Sequence, residues 1–389
     1  MKPLEQKIGI LLAIIILFLS GMIIISCTKE NPIEPTVFKT TPYEMNLPHY
    51  FPNRLNIPDD NPMTVEGVRL GRYLFYDGRL RGYTGSEPDS LMSCGTCHLQ
   101  EYSFECGIDH PKYIGGYTHG VTGTPTPHVM LPLINIVFNH EGYFWNGLIH
   151  SSNPQPNRQT LEDIVVMGIL APHEMNSTVE RAVAAIQSIS MYPPMFEAAF
   201  GTPEININRI KKAISQFTRS LVSYNSKFDR YLRGEEQLTD SELKGYILFT
   251  TEEGADCFHC HGGGGNPLFT TNLFYNNAKD SIFNDPRDRF AYTGKESDKG
   301  AYKATTLRNI IFTAPYMHDG RFKTLDEVID FYNDGLIMSP YVNTLMHKIN
   351  DGGAKLLPSE KNDLKNFILT LTDNDFITNP AFSKPTDLP

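Results

Sequence analysis

Two short segments of this chain could each perform the same covalent chemistry: Ser93-Cys94-Gly95-Thr96-Cys97-His98 and Asp256-Cys257-Phe258-His259-Cys260-His261. In Cys-x-x-Cys-His, two thiols can add across the vinyl groups of a haem, and the histidine that follows can ligate the iron. The spacing suits the task. One helical turn brings both sulfurs to one side and leaves the imidazole to point at the metal. With 6 Cys and 12 His in 389 residues, about 0.003 such motifs are expected by chance, so two are not accidental. A four-cysteine zinc site or a redox dithiol would need neither the trailing histidines nor two pairs so far apart in sequence. Cys94, Cys97, Cys257 and Cys260 are therefore expected to hold two haem c groups, with His98 and His261 as iron ligands.

The N-terminus points outside the cytoplasm, where close thiol pairs would usually oxidise to disulfides, so two Cys-x-x-Cys pairs there need a chemical reason, which haem attachment supplies. Lys2 and Lys7 flank the start of an apolar run from Ile8 to Ile25, which ends at Ser26-Cys27. A basic start, an apolar stretch and a small residue before Cys have the form of a lipoprotein signal, so residues 1–26 are read as a cleaved signal peptide and Cys27 as the lipidated first residue. An uncleaved membrane anchor is the alternative, since a run of that length could just span a bilayer. Either reading places the body on the periplasm-facing side of the cell envelope, held to a membrane. Residues 27–46 are polar and proline-containing, and read as a flexible tether. Cys106 is left without a partner and is expected to be a buried free thiol. A net charge of -10 with no long basic run argues against a nucleic-acid partner.

The elements that must position these sites are helical. Periodicity and capping signals predict helices over Val65–Phe75, Thr178–Phe200 and Ile207–Arg233, helix starts at Thr239 and Thr324, and a helix over Ser359–Leu371. Strand alternation is scarce, and Gly/Pro-rich loops at 115–132 and 262–286 are of the kind that cover cofactors. The expected fold is mainly α: two cytochrome c-like haem domains with long irregular loops. They are placed at 47–234 and 235–375, followed by a tail at 376–389, with no repeat expected beyond the doubled haem motif.

Several longer motifs carry a resemblance. Leu70-Gly71-Arg72-Tyr73-Leu74-Phe75-Tyr76-Asp77, Phe144-Trp145-Asn146-Gly147 and Pro172-His173-Glu174-Met175 accompany the first haem motif. Leu307-Arg308-Asn309, the run Thr313 to Gly320 and the run Thr324 to Tyr332 accompany the second. In this order, over roughly residues 64 to 373, the sequence resembles the bacterial di-haem cytochrome c peroxidase and MauG family. The resemblance implies that Glu174 is the acidic residue over the first haem, where peroxide binds, and that Trp145 lies between the haems and passes electrons. It places His119 as a switchable ligand of the first haem, with His110 and His128 in the same loop as competitors. It places Tyr332 as sixth ligand of the second haem, as in MauG, where the peroxidases have Met. Met338 and Met346 are alternative ligands, and Met317 is read as packing. Tyr there would favour oxidised iron, whereas a thioether raises the potential.

The sequence departs from the family at two places. Ile164 stands where the family has a distal glutamine, and the calcium-site asparagine is missing near His128-Val129. Thr313 and Pro315 still match the carbonyl-donating positions, so one calcium ion stays compatible. The implied activity is reduction of hydrogen peroxide to water, with electrons from a small cytochrome c or cupredoxin-type donor relayed through the C-terminal haem. Two alternatives stay open: a MauG-like enzyme oxidising protein side chains through a high-valent iron state, and a non-catalytic di-haem electron carrier. A homodimer is compatible with either.

Overall fold

A computed structural model describes residues 38–82, 91–263 and 265–388, so the expected signal peptide and lipidated Cys27 lie outside the described residues. Helix α1, Val65–Tyr76, starts where Thr64 accepts from the Gly67 amide, and short α2, Cys94–Cys97, carries the first haem motif. After the small hairpin of β1 (Tyr113–Ile114) and β2 (Tyr117–Thr118) come α3 (Leu161–Leu170), α4 (Val179–Gln187), α5 (Tyr192–Phe200), α6 (Ile207–Ser220) and α7 (Lys227–Leu232). Then follow α8 (Asp240–Thr250), α9 (Phe258–His261) with the second motif, β3 (Phe274–Tyr275), α10 (Arg289–Thr293) and β4 (Tyr302–Lys303). The last helices are α11 (Leu325–Asp334), α12 (Pro358–Leu369) and α13 (Asn374–Thr378). The fold is mainly helical, and its only strands among the described residues are the two-residue pairs β1–β2 and β3–β4.

Two long helices expected from periodicity are broken. The run from Thr178 divides at Ser188, and the prolines Pro193 and Pro194 open α5, where missing N–H groups cost no intrahelical bond. The run from Ile207 stops at Ser220 because Asp373 captures the chain beyond it. Its Oδ2 accepts from the Tyr224 and Asn225 amides, both at 3.0 Å, and from the Ser223 hydroxyl at 2.7 Å. Helix α3 was not anticipated, although Thr160 and Asp163 form a reciprocal cap at its start. From Thr41 the chain is already tied down, the Thr41 amide donating to Glu66 at 3.0 Å and the Val65 amide to Thr41 O at 2.9 Å.

Both haem motifs lie within one compact unit, Thr40–Pro389, which contains a doubled arrangement. In the first half α1 crosses α6 at Gly71, where a Cβ would lie 1.9 Å from Ala213 O, and Phe217 packs beside it. In the second half α8 crosses α12 at Gly245, where a Cβ would lie 1.9 Å from Asp363 O, with Phe367 beside it. Each crossing precedes or follows the same series: a haem motif, an asparagine in the left-handed region that opens a 3-10 turn (Asn135, Asn309), a small bridged loop (Tyr143 with Ile149, Tyr316 with Phe322) and a helix with a reciprocal cap (Thr160, Thr324). The expectation of no repeat beyond the haem motifs is thus corrected. The repetition lies in backbone conformation and caps, with few identical residues to betray it.

Each half has its own principal core, one around Leu70, Phe75, Phe196 and Phe217, the other around Phe228, Phe249, Phe269 and Phe367. Two buried ion pairs fasten the surroundings: Arg219 with Glu162 at 2.6 Å and Arg308 with Asp229 at 2.6 Å, both bidentate. Removing one partner of such a pair strands a buried charge and costs about 3–5 kcal/mol. The residues expected as a tail return to the first core, where Phe376 and Phe382 are buried and Tyr76 donates to Phe382 O at 2.7 Å.

Candidate haem sites

The two histidines of the motifs are held in the same way. His98 Nδ1 donates to Phe104 O at 2.6 Å, and His261 Nδ1 donates to Thr305 O at 3.0 Å. A carbonyl can only accept, so Nδ1 carries the proton and Nε2 keeps its lone pair, the tautomer an iron ligand needs. Burial holds both imidazoles well below the ordinary histidine value, at about 4, so they stay neutral. Cys94, Cys97, Cys257 and Cys260 are all unpaired, and burial raises each thiol. Neutral imidazole and two closely spaced free thiols fit covalent haem at both places.

The first site opens on a cavity of about 850 Å³ lined by Cys94, Cys97, His98, Trp145, Ile164, Glu174 and, from the second half, Lys303. Glu174 follows α3 on a turn in which its amide donates to Ala171 O at 3.0 Å. Gly168 makes room for it, since a Cβ there would sit 2.7 Å from Glu174 Oε2. The carboxylate is surrounded by protein, yet 42% of its side chain is open because it faces the cavity. Desolvation pushes its pKa up to about 7. His173 Nε2 stands 3.9 Å from Glu174 Oε1. Ile164, where the family has glutamine, adds an apolar wall.

Trp145 lies where the halves meet. Its indole Nε1 donates to Val129 O at 2.8 Å, and its own carbonyl accepts from the Lys303 amide at 2.9 Å. It directly follows Phe144, whose φ is +63°, just as His318 directly follows Met317 with φ +70°. Trp145 and His318 thus hold equivalent places in the two halves, and their rings meet edge-on at 6.3 Å. His318 stacks on Tyr302 at 3.5 Å, and the Tyr302 hydroxyl donates to Asp285 at 2.8 Å. His128, near the missing calcium asparagine, pairs with the same carboxylate at 2.6 Å. Thr313 and Pro315 lie on the loop leading to His318, but two carbonyls fall short of the six or more oxygens calcium takes.

At the second site Tyr332, on α11, is half-buried with its hydroxyl accepting from Asn277 Nδ2 at 3.0 Å. Desolvation raises its pKa well above the ordinary tyrosine value, and the Cys260 and Cys257 sulfurs add to the rise. Met317 Sδ lies 3.7 Å from the same Asn277 amide, so the thioether read as packing shares this pocket. Met338 is exposed. His119 Nδ1 donates to Tyr117 O at 2.9 Å, and His119 is not among the residues lining the first cavity, whereas Thr118 and His128 of its loop are. Cys106 is buried with its sulfur 3.6 Å from His110 Nδ1.

Lys303 was missed from the sequence. It is buried, donates to Asn272 O at 2.7 Å, and desolvation lowers its pKa to about 7. No spacing or cap announces a lysine that the second half delivers to the first half's cavity.

Residues 65–237 match the family model for di-haem cytochrome c peroxidase. The chain is 30% identical over 322 residues to the methylamine utilization protein MauG of Methylorubrum extorquens, covering 82% of each chain. It is 30% identical over 318 residues to the cytochrome c551 peroxidase of Nitrosomonas europaea, covering 81% of this chain and 86% of that one. A solved MauG-like protein associated with microbial copper homeostasis superposes with a TM-score of 0.74 at 34% identity, covering 88% of this chain and 99% of the other. With its two haem sites and these relatives, the chain belongs to the family of di-haem cytochrome c peroxidases and MauG.

Proposed function

We propose that the protein is a di-haem c-type peroxidase that reduces hydrogen peroxide to water, drawing electrons through the C-terminal site. One observation carries the reading: a carboxylate with a pKa of about 7 stands in the cavity that His98 and its two cysteines line. Haem c at each motif supplies redox-active iron, the electron chemistry that no side chain here performs. His98 and His261 would hold it, each oriented by a backbone carbonyl. Glu174 takes a proton from one peroxide oxygen and gives it to the other, so the departing oxygen leaves as water rather than hydroxide. Each peroxide consumes two electrons and two protons and yields two waters. Ile164 and the other apolar walls limit competing water, and Trp145 with His318 bridges the halves along the electron route. A small cytochrome c or cupredoxin-type protein is the donor.

The test is turnover of peroxide with a reduced small cytochrome. Robust turnover that Glu174→Gln abolishes supports the reading, and a holoprotein inert to peroxide ends it. Tyr332 favours a second reading, oxidation of another protein's side chains, because an oxygen ligand at that position would hold the second iron oxidised. In that case peroxide is consumed without the cytochrome donor, and oxidised residues appear in a partner protein.

The body works outside the cytoplasm on a lipid at Cys27, a reading supported by the sequence of residues 1–27. No helix among the described residues is long and apolar enough to cross a membrane. Cys27→Ser should move the protein from the membrane fraction to the soluble one, and retention at the membrane would point to the uncleaved anchor.

A further inference from the structure

The second haem motif contains a histidine that haem attachment does not use. His259 sits between Cys257 and Cys260, and its ring meets that of His347 edge-on at 4.8 Å. Together with Glu252 they form a group in which one ligand atom from each residue lies within 4.8 Å of the others. One carboxylate aligns both rings. Asp256, only 4% exposed, accepts from His259 Nδ1 at 2.6 Å and stands 3.2 Å from His347 Nδ1. A carboxylate on Nδ1 fixes the tautomer and leaves the Nε2 lone pair of His259 bare, the support found behind metal-binding histidines. That Nε2 faces Glu252 Oε1 at 3.6 Å, too far for a hydrogen bond.

We propose that Glu252, His259 and His347 bind one divalent late transition-metal ion, zinc(II) or copper(II), on the segment that carries the second haem's cysteines. Two imidazoles and one carboxylate select these ions over calcium or magnesium, which prefer all-oxygen sets. Ligands about 2.0–2.1 Å from a tetrahedral ion lie about 3.3 Å from one another. Glu252 and His347 are both exposed, which leaves their side chains free to rotate toward that spacing. None of the three lines the peroxide cavity. The ion would clamp the haem-bearing turn to the 3-10 turn His347–Asp351, which lies between α11 and α12.

The test uses the chelator-washed, haem-loaded full chain, titrated with zinc sulfate and separately with copper sulfate. Bound metal per protein is counted by elemental analysis after gel filtration. One tightly held equivalent is expected, weakened at least about tenfold in His347→Ala and in Glu252→Gln, while haem absorbance stays unchanged. Copper(II) in the wild type should show nitrogen hyperfine structure in its electron paramagnetic resonance spectrum, altered in His347→Ala. The thermal midpoint should rise with zinc in the wild type and not in His347→Ala. Wild-type protein that holds no more metal than His347→Ala, or variants that retain the full equivalent, would overturn the site.

Discussion

At the scale of single residues, the proposed chemistry rests on Glu174 and Tyr332, and desolvation raises the pKa of both. Glu174 must be ionised to accept a proton, and desolvation places its pKa at about 7 against the ordinary 4.5. Peroxide turnover should therefore rise with pH through about 7 as the carboxylate forms, and be lost on the acid side. Glu174→Gln should remove this limb and cut turnover by about two orders of magnitude or more with haem content intact. Near-normal turnover in that variant would take Glu174 out of the mechanism. Tyr332→Met should raise the potential of the C-terminal haem, since thioether ligation favours reduced iron. An unchanged redox titration would give the ligand position to another group, with Met317 a candidate because its sulfur lies 3.7 Å from the amide that holds Tyr332. The haem cysteines and both histidines were legible from spacing alone, because covalent attachment dictates it. Glu174 and Trp145 were legible only through longer motifs, since nothing local marks a glutamate whose pKa is set by what folds around it. Lys303 was illegible because its place in the cavity depends on how the halves meet.

At the scale of elements, the capped starts at Thr239 and Thr324 were read from the cap and its partner three residues on, whereas the equally spaced cap of Thr160 and Asp163 was missed. Helix ends were read poorly where a distant side chain decides them, as Asp373 does beyond Ser220. The two glycine crossings allow a sharp test. On an open helix face Gly→Ala would gain about 1 kcal/mol of helix propensity. At Gly245 the new methyl would meet Asp363 O at 1.9 Å, a backbone atom that cannot swing aside. Overpacking of this kind costs about 1–3 kcal/mol or more, so the clash should win. Gly245→Ala should lower the thermal midpoint of the holoprotein, and so should Gly71→Ala. A higher midpoint would show that the helices have room to part.

At the scale of the whole molecule, the cavity wall is shared: His98 and Glu174 come from the first half, Lys303 from the second. Each half contributes one ring from the equivalent loop position, Trp145 and His318, and the two meet edge-on. The duplication thus delivers a pair of aromatic rings to the junction between the halves, while the first half also places a carboxylate, Glu174, in the cavity after its capped helix. That division makes Trp145→Phe informative. Phenylalanine preserves much of the apolar contact but removes the indole N–H that holds Val129 O at 2.8 Å. Initial reaction of peroxide at the first site depends on His98 and Glu174, so its rate in stopped flow should stay close to wild type. Refilling from the donor crosses the junction, so steady-state turnover should fall at least tenfold. Equal loss in both phases would mean that Trp145 shapes the cavity rather than the route between the halves, and an unchanged steady state would move the electron path to Tyr302 and His318 without it.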